Sequence, residues 1–227
     1  FPRDVEWRVP YDTTVFVNAS IELVVHTFAE ALLAFETSTD ACSVALRLGE
    51  ETRERFEKAP RRHAELVLPM AESLLAEAGL GPGDLDGVAF GRGPGSFTGV
   101  RIAAAVVQGV AFATGLPVAP VSTLQALAEG VARETGEESV LAVLDARMGE
   151  VYWGAYRRAG SGRMEVVVED TLSAPERVSL AAPGPWAVAG DGWAAYSEIL
   201  RSGLGGRVSR ELPARLPRAR DVTHIGA

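Results

Sequence analysis

The chain has one cysteine, Cys42, one lysine, Lys58, and three histidines, His26, His63 and His224. A lone cysteine excludes an intramolecular disulfide and suits a reducing, cytoplasmic setting. No two histidines stand four apart, so a helix-borne histidine pair for a metal ion is excluded. No nucleophile has an evident histidine base beside it, which a serine or cysteine hydrolase needs. Acidic residues outnumber basic ones, 30 to 22, and the basic ones are nearly all Arg. The net charge of −8 argues against a broad electrostatic footprint for nucleic acid. The 47% hydrophobic and 23% charged content is that of an ordinary globular protein.

Residues 102–121 carry no charge and are long enough to span a bilayer. Gln108, Gly109, Gly115, Pro117 and Pro120 interrupt the run, so burial of a helix and a strand in an α/β core is the expectation. No membrane association is expected. Residues 1–30 lack the order of a secretion signal and an initiating Met, and carry no assignable chemistry.

The densest feature is Gly91-Arg92-Gly93-Pro94-Gly95-Ser96-Phe97-Thr98-Gly99-Val100-Arg101. It follows the apolar strand Val88-Ala89-Phe90 and opens an alanine-rich helix, with Ser96 placed as its cap. Such a unit can present backbone N–H groups to an anion. It can equally be a tight turn packed against a neighbour. It is neither known phosphate fingerprint. No Gly-Lys-Ser/Thr follows, and the third glycine of a dinucleotide motif would fall on Ser96.

Leu32-Leu33-Ala34-Phe35 reads as a buried strand, Glu36-Thr37-Ser38-Thr39-Asp40 as a turn, and residues 41–48 as the return strand. Actin-like ATPases and sugar kinases hold phosphate with a carboxylate and turn hydroxyls in this arrangement. A plain polar hairpin is the alternative. Ala142-Val143-Leu144-Asp145, followed by Val151-Tyr152-Trp153-Gly154, repeats the pattern and suggests a duplicated unit. The strand at 186–189 leads through Gly190-Asp191-Gly192 into a helix, and the chain reads as loop from Ser202 onward.

The helix expected at 63–78 places Leu66, Met70, Leu74 and Ala78 on one apolar face, with Pro69 bending it. His63 reads as a polar cap or contact rather than a metal ligand. The helix at 97–114 carries Arg101, Ala105, Gly109 and Ala113 four apart, a small-residue stripe that lets another helix approach closely.

Taken in order, Phe35-Glu36-Thr37-Ser38-Thr39, His63 with Leu66 and Pro69, the glycine motif, and Asp145-Ala146-Arg147 with Glu150-Val151-Tyr152 resemble the bacterial TsaB (YeaZ) family over about residues 31–227. The resemblance implies an α/β fold of duplicated actin-like (ASKHA, ribonuclease-H-type) mixed sheets with flanking helices. It divides the chain into a leader at 1–30, an N-terminal subdomain at 31–121 and a C-terminal subdomain at 122–227. It also implies that the leader has no counterpart and that the family's last strand and tail are missing.

The implied role is a non-catalytic scaffold in forming threonylcarbamoyladenosine in tRNA, beside the anticodon. The implied partners are a TsaD-type transferase and a TsaE-type ATPase, with threonylcarbamoyl-adenylate from a TsaC-type enzyme. The partners use ATP and metal, the isolated chain uses no cofactor, and tRNA is met only through the complex. The expected docking surface is His63, Leu66, Pro69, Met70, Gly95, Phe97, Arg101, Ala105 and Gly109, which also forms a homodimer when the partner is absent. Glu36, Thr37, Ser38, Thr39, Asp145, Gly190, Asp191 and Gly192 form a vestigial nucleotide cleft. Convergence of these last residues keeps a second class open, an ATP-dependent small-molecule kinase. A peptidase, lacking a triad or histidine ligands, is the weakest reading.

Overall fold

The computed structural model describes residues 31–180 and 182–226. The leader at 1–30 and His26 lie outside the described residues.

Two five-stranded sheets are built in chain order. The first holds β1 (Ala31–Glu36), β2 (Ala41–Leu48), β3 (Glu51–Lys58), β4 (Gly87–Gly91) and β5 (Val118–Val121), arranged β3-β2-β1-β4-β5. The second holds β6 (Ser139–Arg147), β7 (Glu150–Arg158), β8 (Met164–Ser173), β9 (Trp186–Ala189) and β10 (Val208–Leu212), arranged β10-β9-β6-β7-β8. Within each sheet the first three strands form an antiparallel meander, and the last two join it in parallel. Strand for strand, the second sheet repeats the first.

Composition explains the positions. β1 is apolar to its last residue and wholly buried, as befits a central strand covered on both faces. β3 reads Glu-Thr-Arg-Glu-Arg-Phe-Glu-Lys and lies at an edge, where charge discourages further pairing.

Among the described residues five helices complete the layers: α1 (His63–Ala78), α2 (Phe97–Thr114), α3 (Thr123–Thr135), α4 (Asp191–Leu204) and α5 (Ala219–Gly226). α1 and α2 cover one face of the first sheet through Val67, Leu74, Ala103 and Val107. α1 runs through Pro69 as one element. The remaining two layers are exchanged between the halves. α3, which follows the first sheet, buries Leu124, Leu127 and Val131 against the second. α5, which follows the second sheet, buries Ala219 and Val222 against Leu32, Ala34 and Ala89 of the first. Gly130 of α3 lets Asp221 of α5 approach: a Cβ there would stand 2.4 Å from a carboxylate oxygen.

Two expectations are corrected. The stretch from Ser202 is not loop. It holds the end of α4, β10 and α5, and α5 is amphipathic enough to form part of the first sheet's core. Nor is the uncharged run at 102–121 enclosed. Among the described residues α2 is the one helix long and apolar enough to cross a membrane by length and composition, yet only Gly99, Ala103 and Val107 are fully buried in it. A single stripe seats α2 on the sheet, and its outer face is left open.

Candidate functional site

The glycine loop between β4 and α2 is pressed against the β1–β2 turn. A Cβ at Gly91 would lie 1.8 Å from Glu36 Oε2, one at Gly95 2.4 Å from the Ser38 carbonyl oxygen, and one at Gly99 1.9 Å from that of Thr37. Side chains at these positions are sterically forbidden, which accounts for three of the four glycines in the motif. Hydrogen bonds close the same contact. Ser96 N–H donates to the Ser38 carbonyl at 2.6 Å, and Thr37 Oγ1 donates to the Gly99 carbonyl at 2.7 Å. Ser96 caps α2 as the sequence predicts, accepting from Gly99 N–H at 3.4 Å. The packed-turn reading of the motif therefore holds in detail.

Glu36 is sealed beneath this contact. Its carboxylate accepts from Ser38 N–H at 2.7 Å, Ser38 Oγ at 2.5 Å and Thr123 Oγ1 at 3.1 Å. Burial pushes the carboxyl up from its ordinary range, against the pull of these donors. Thr37 is also fully buried. The loop is held from the other half as well. Asp170 of β8 accepts from Ser122 Oγ at 2.7 Å and from the Tyr156 hydroxyl, and lies 3.9 Å from Arg92 of the loop.

The second half repeats this packing. Gly190 has φ 111°, and a Cβ there would stand 2.1 Å from the Val143 carbonyl oxygen. Gly192 is packed on Leu144. Asp145 N–H donates to Asp191 Oδ1 at 3.0 Å, and Arg147 N–H to Asp145 Oδ1 at 2.8 Å.

Between the two turns lies a cleft of about 410 Å³. Of the residues predicted for it, Ser38, Thr39, Asp145 and Asp191 line it. Glu36, Thr37, Gly190 and Gly192 stand behind its walls. Sequence reasoning missed Asp40, Arg147 and Tyr152, which also line it and were flagged only by their places in the two hairpins. Asp40, Asp145 and Asp191 outnumber Arg147, which pairs with Asp145 at 3.4 Å, and leave the cleft acidic. Burial raises the Asp191 carboxyl, and the Asp145 and Asp40 carboxylates add to the shift. The amides of Ser38, Asp145 and Arg147, which could grip an anion, are spent on Glu36, Asp191 and Asp145. Among the described residues no group of three or more His, Cys, Asp or Glu is placed to hold a metal ion.

The predicted docking residues divide. His63 is only 8% exposed, with Nε2 2.8 Å from the Thr39 carbonyl and 3.2 Å from that of Ala41. It ties the β1–β2 turn to α1 and is no surface residue, because the turn folds down over the helix start. Leu66 and Met70 are half-buried against the core, and Pro69 is exposed. On α2, Phe97, Arg101, Ala105 and Gly109 are exposed and share one face, while Gly95 is half-buried in the loop. Arg101 stacks on the Phe97 ring at 3.7 Å. The same face carries Phe112, 94% exposed, which the helical stripe could have pointed to, three residues after Gly109.

A repeated five-stranded sheet, an exchanged pair of helices and a cleft between two β-turns define an actin-like, ribonuclease-H-type α/β protein. The family model of TsaD, tRNA N6-adenosine threonylcarbamoyltransferase, matches residues 56–223. The chain is 40% identical over 197 residues to the tRNA threonylcarbamoyladenosine biosynthesis protein TsaB of Escherichia coli, covering 86% of this chain and 84% of that one. It is 42% identical over 183 residues to TsaB of Haemophilus influenzae, covering 77% and 78%. Among solved structures it is similar to YeaZ from Pseudomonas aeruginosa, 45% identical, with TM-score 0.80 over 86% of this chain and 89% of that one. A second Pseudomonas aeruginosa structure, of a protein with similarity to peptidase YeaZ, is 44% identical with TM-score 0.81 over 87% and 90%. The chain belongs to the TsaB (YeaZ) family.

Proposed function

We propose that this chain is the non-catalytic scaffold subunit in the formation of threonylcarbamoyladenosine in tRNA, beside the anticodon. It docks a TsaD-type transferase on the outer face of α1 and α2, and recruits a TsaE-type ATPase to the complex. tRNA is met only through that complex. The isolated chain needs no cofactor, and works in the cytoplasm. When the transferase is absent, the same face pairs with a second copy, since a flat stripe of small residues is self-complementary about a two-fold axis.

The observation that carries this reading is the outer face of α2. Phe97 is 69% and Phe112 94% exposed, on either side of the flat stretch at Ala105 and Gly109. Exposed apolar side chains gathered on one helix face mark an interaction site, and aromatic anchors beside small residues are what a close helix contact uses. The cleft supports the non-catalytic part. A phosphate entering it would meet three carboxylates against one guanidinium, that of Arg147, which is paired with Asp145, and turn amides already committed to the protein's own acceptors. That arrangement also disfavours the kinase alternative.

The test is reconstitution of the chain with a TsaD-type transferase, a TsaE-type ATPase, ATP, threonylcarbamoyl-adenylate and unmodified tRNA, with modified nucleoside read by mass spectrometry. Modification that requires the chain, with none by the chain alone, is expected. Turnover by the chain alone would overturn the scaffold reading.

A further inference from the structure

The tip of the β6–β7 hairpin breaks its own local rules. Arg147 pairs with Glu150, so Met148 and Gly149 form a two-residue loop. Their φ angles are 54° and 83°, left-handed at both central residues, and Arg147 before them is left-handed too at 67°. This is the pattern of a type I′ turn, whose first position favours Asn, Asp or Gly. An unbranched apolar side chain has no local hydrogen bond there to offset the crowding of a left-handed backbone. Met148 gains nothing from burial either, since it is 99% exposed. A residue disfavoured both by its backbone and by its solvent exposure belongs where a function outside the folded chain selects it.

The surroundings say what that function meets. Arg147 and Ala146 line the same cleft that Phe97 and Thr98 line from the start of α2. The hairpin tip is thus continuous, across the cleft mouth, with the apolar face of α2. Asp40, Asp145 and Asp191 lie between them. A nucleic-acid phosphate is repelled there. A protein surface carrying basic side chains is attracted there.

We propose that Met148 is an apolar anchor for the same partner protein that docks on α2, entering a socket flanked by basic side chains. The partner therefore grips both halves of the chain, bridging the acidic cleft. This inference rests on the docking reading above. Methionine suits the task, being unbranched and adaptable to an imperfect socket.

The substitution M148N separates anchoring from structure, because asparagine tolerates the left-handed conformation. The variant is expected to melt higher, by about 2 °C, while binding a purified TsaD-type transferase about tenfold more weakly by isothermal titration. A105R, on α2, is titrated in parallel and is expected to abolish binding. If A105R abolishes binding while M148N binds as the unaltered chain does, the Met148 anchor is wrong and the α2 surface stands. If A105R leaves affinity intact, the docking reading falls, and the anchor built on it falls too. A lower melting temperature for M148N would overturn the argument from turn chemistry.

Discussion

The two halves of this chain share a strand order and a turn-on-loop packing, yet they present different outer helices. α2 in the first half shows Phe97, Ala105, Gly109 and Phe112 to solvent. α4, which follows β9 as α2 follows β4, shows Glu198, Arg201 and Ser202, and keeps Trp193, Leu200 and Leu204 inside. The turns differ as well. Glu36 is sealed under the glycine loop, whereas its counterpart Asp145 stays at the cleft wall. The outer face of α2 leaves two aromatic side chains in solvent, and that of α4 leaves none. Both halves need the packing glycines, but the open aromatic helix face belongs to the first.

The sharpest way to break the comparison is at the packing glycines. G99A would drive a Cβ into the Thr37 carbonyl at 1.9 Å, where only backbone can give way, while G192A meets Leu144 and Val143 at 2.8 Å. A loss of about 3–5 kcal/mol is expected for G99A and somewhat less for G192A, read by chemical denaturation. Equal tolerance of both would contradict the account of the glycine motif.

A smaller effect tests the helix exchange that ties the halves together. Asp221 of α5 sits against Arg133 of α3 at 3.1 Å. Burial pushes its carboxyl up to about 6 from 3.8, Arg133 pulls it down and Glu54 pushes it further up. A pKa raised by folding means the folded chain binds the proton more tightly. The resulting stability is full below about pH 4 and is lost as pH rises through about 6. Relative to the unaltered chain, D221N is expected to flatten the melting profile between those values, by at most about 3 kcal/mol. An unchanged difference between the two profiles across that window would show that Asp221 does not titrate there.

Most of the fold was legible because its signals are local. Apolar runs bounded by turns placed the central strands of both sheets, Ser96 marked a helix start, and the echo of Phe35-Glu36 in Leu144-Asp145 disclosed the duplication. What escaped was set by long-range packing. β10 and α5 read as loop because their apolar residues are few and find their partners only in strands far away in sequence, such as β9 and β1. His63 reads as a polar contact at a helix start, as it is, but its burial escapes the sequence because its carbonyl partners, at Thr39 and Ala41, come from a turn that folds over it. The glycine motif could be recognised in the sequence, but its reason could not. Only the structure shows carbonyl and carboxylate oxygens where its side chains would be.

Paired substitutions on α2 and α4 decide whether the first half alone carries the main docking face. A105R and S202R each place one arginine on an exposed helix face, and each variant is titrated against the same TsaD-type transferase. A105R is expected to abolish binding, and S202R to bind as the unaltered chain does. Equal affinities for the two variants, whether both lost or both kept, would contradict that expectation.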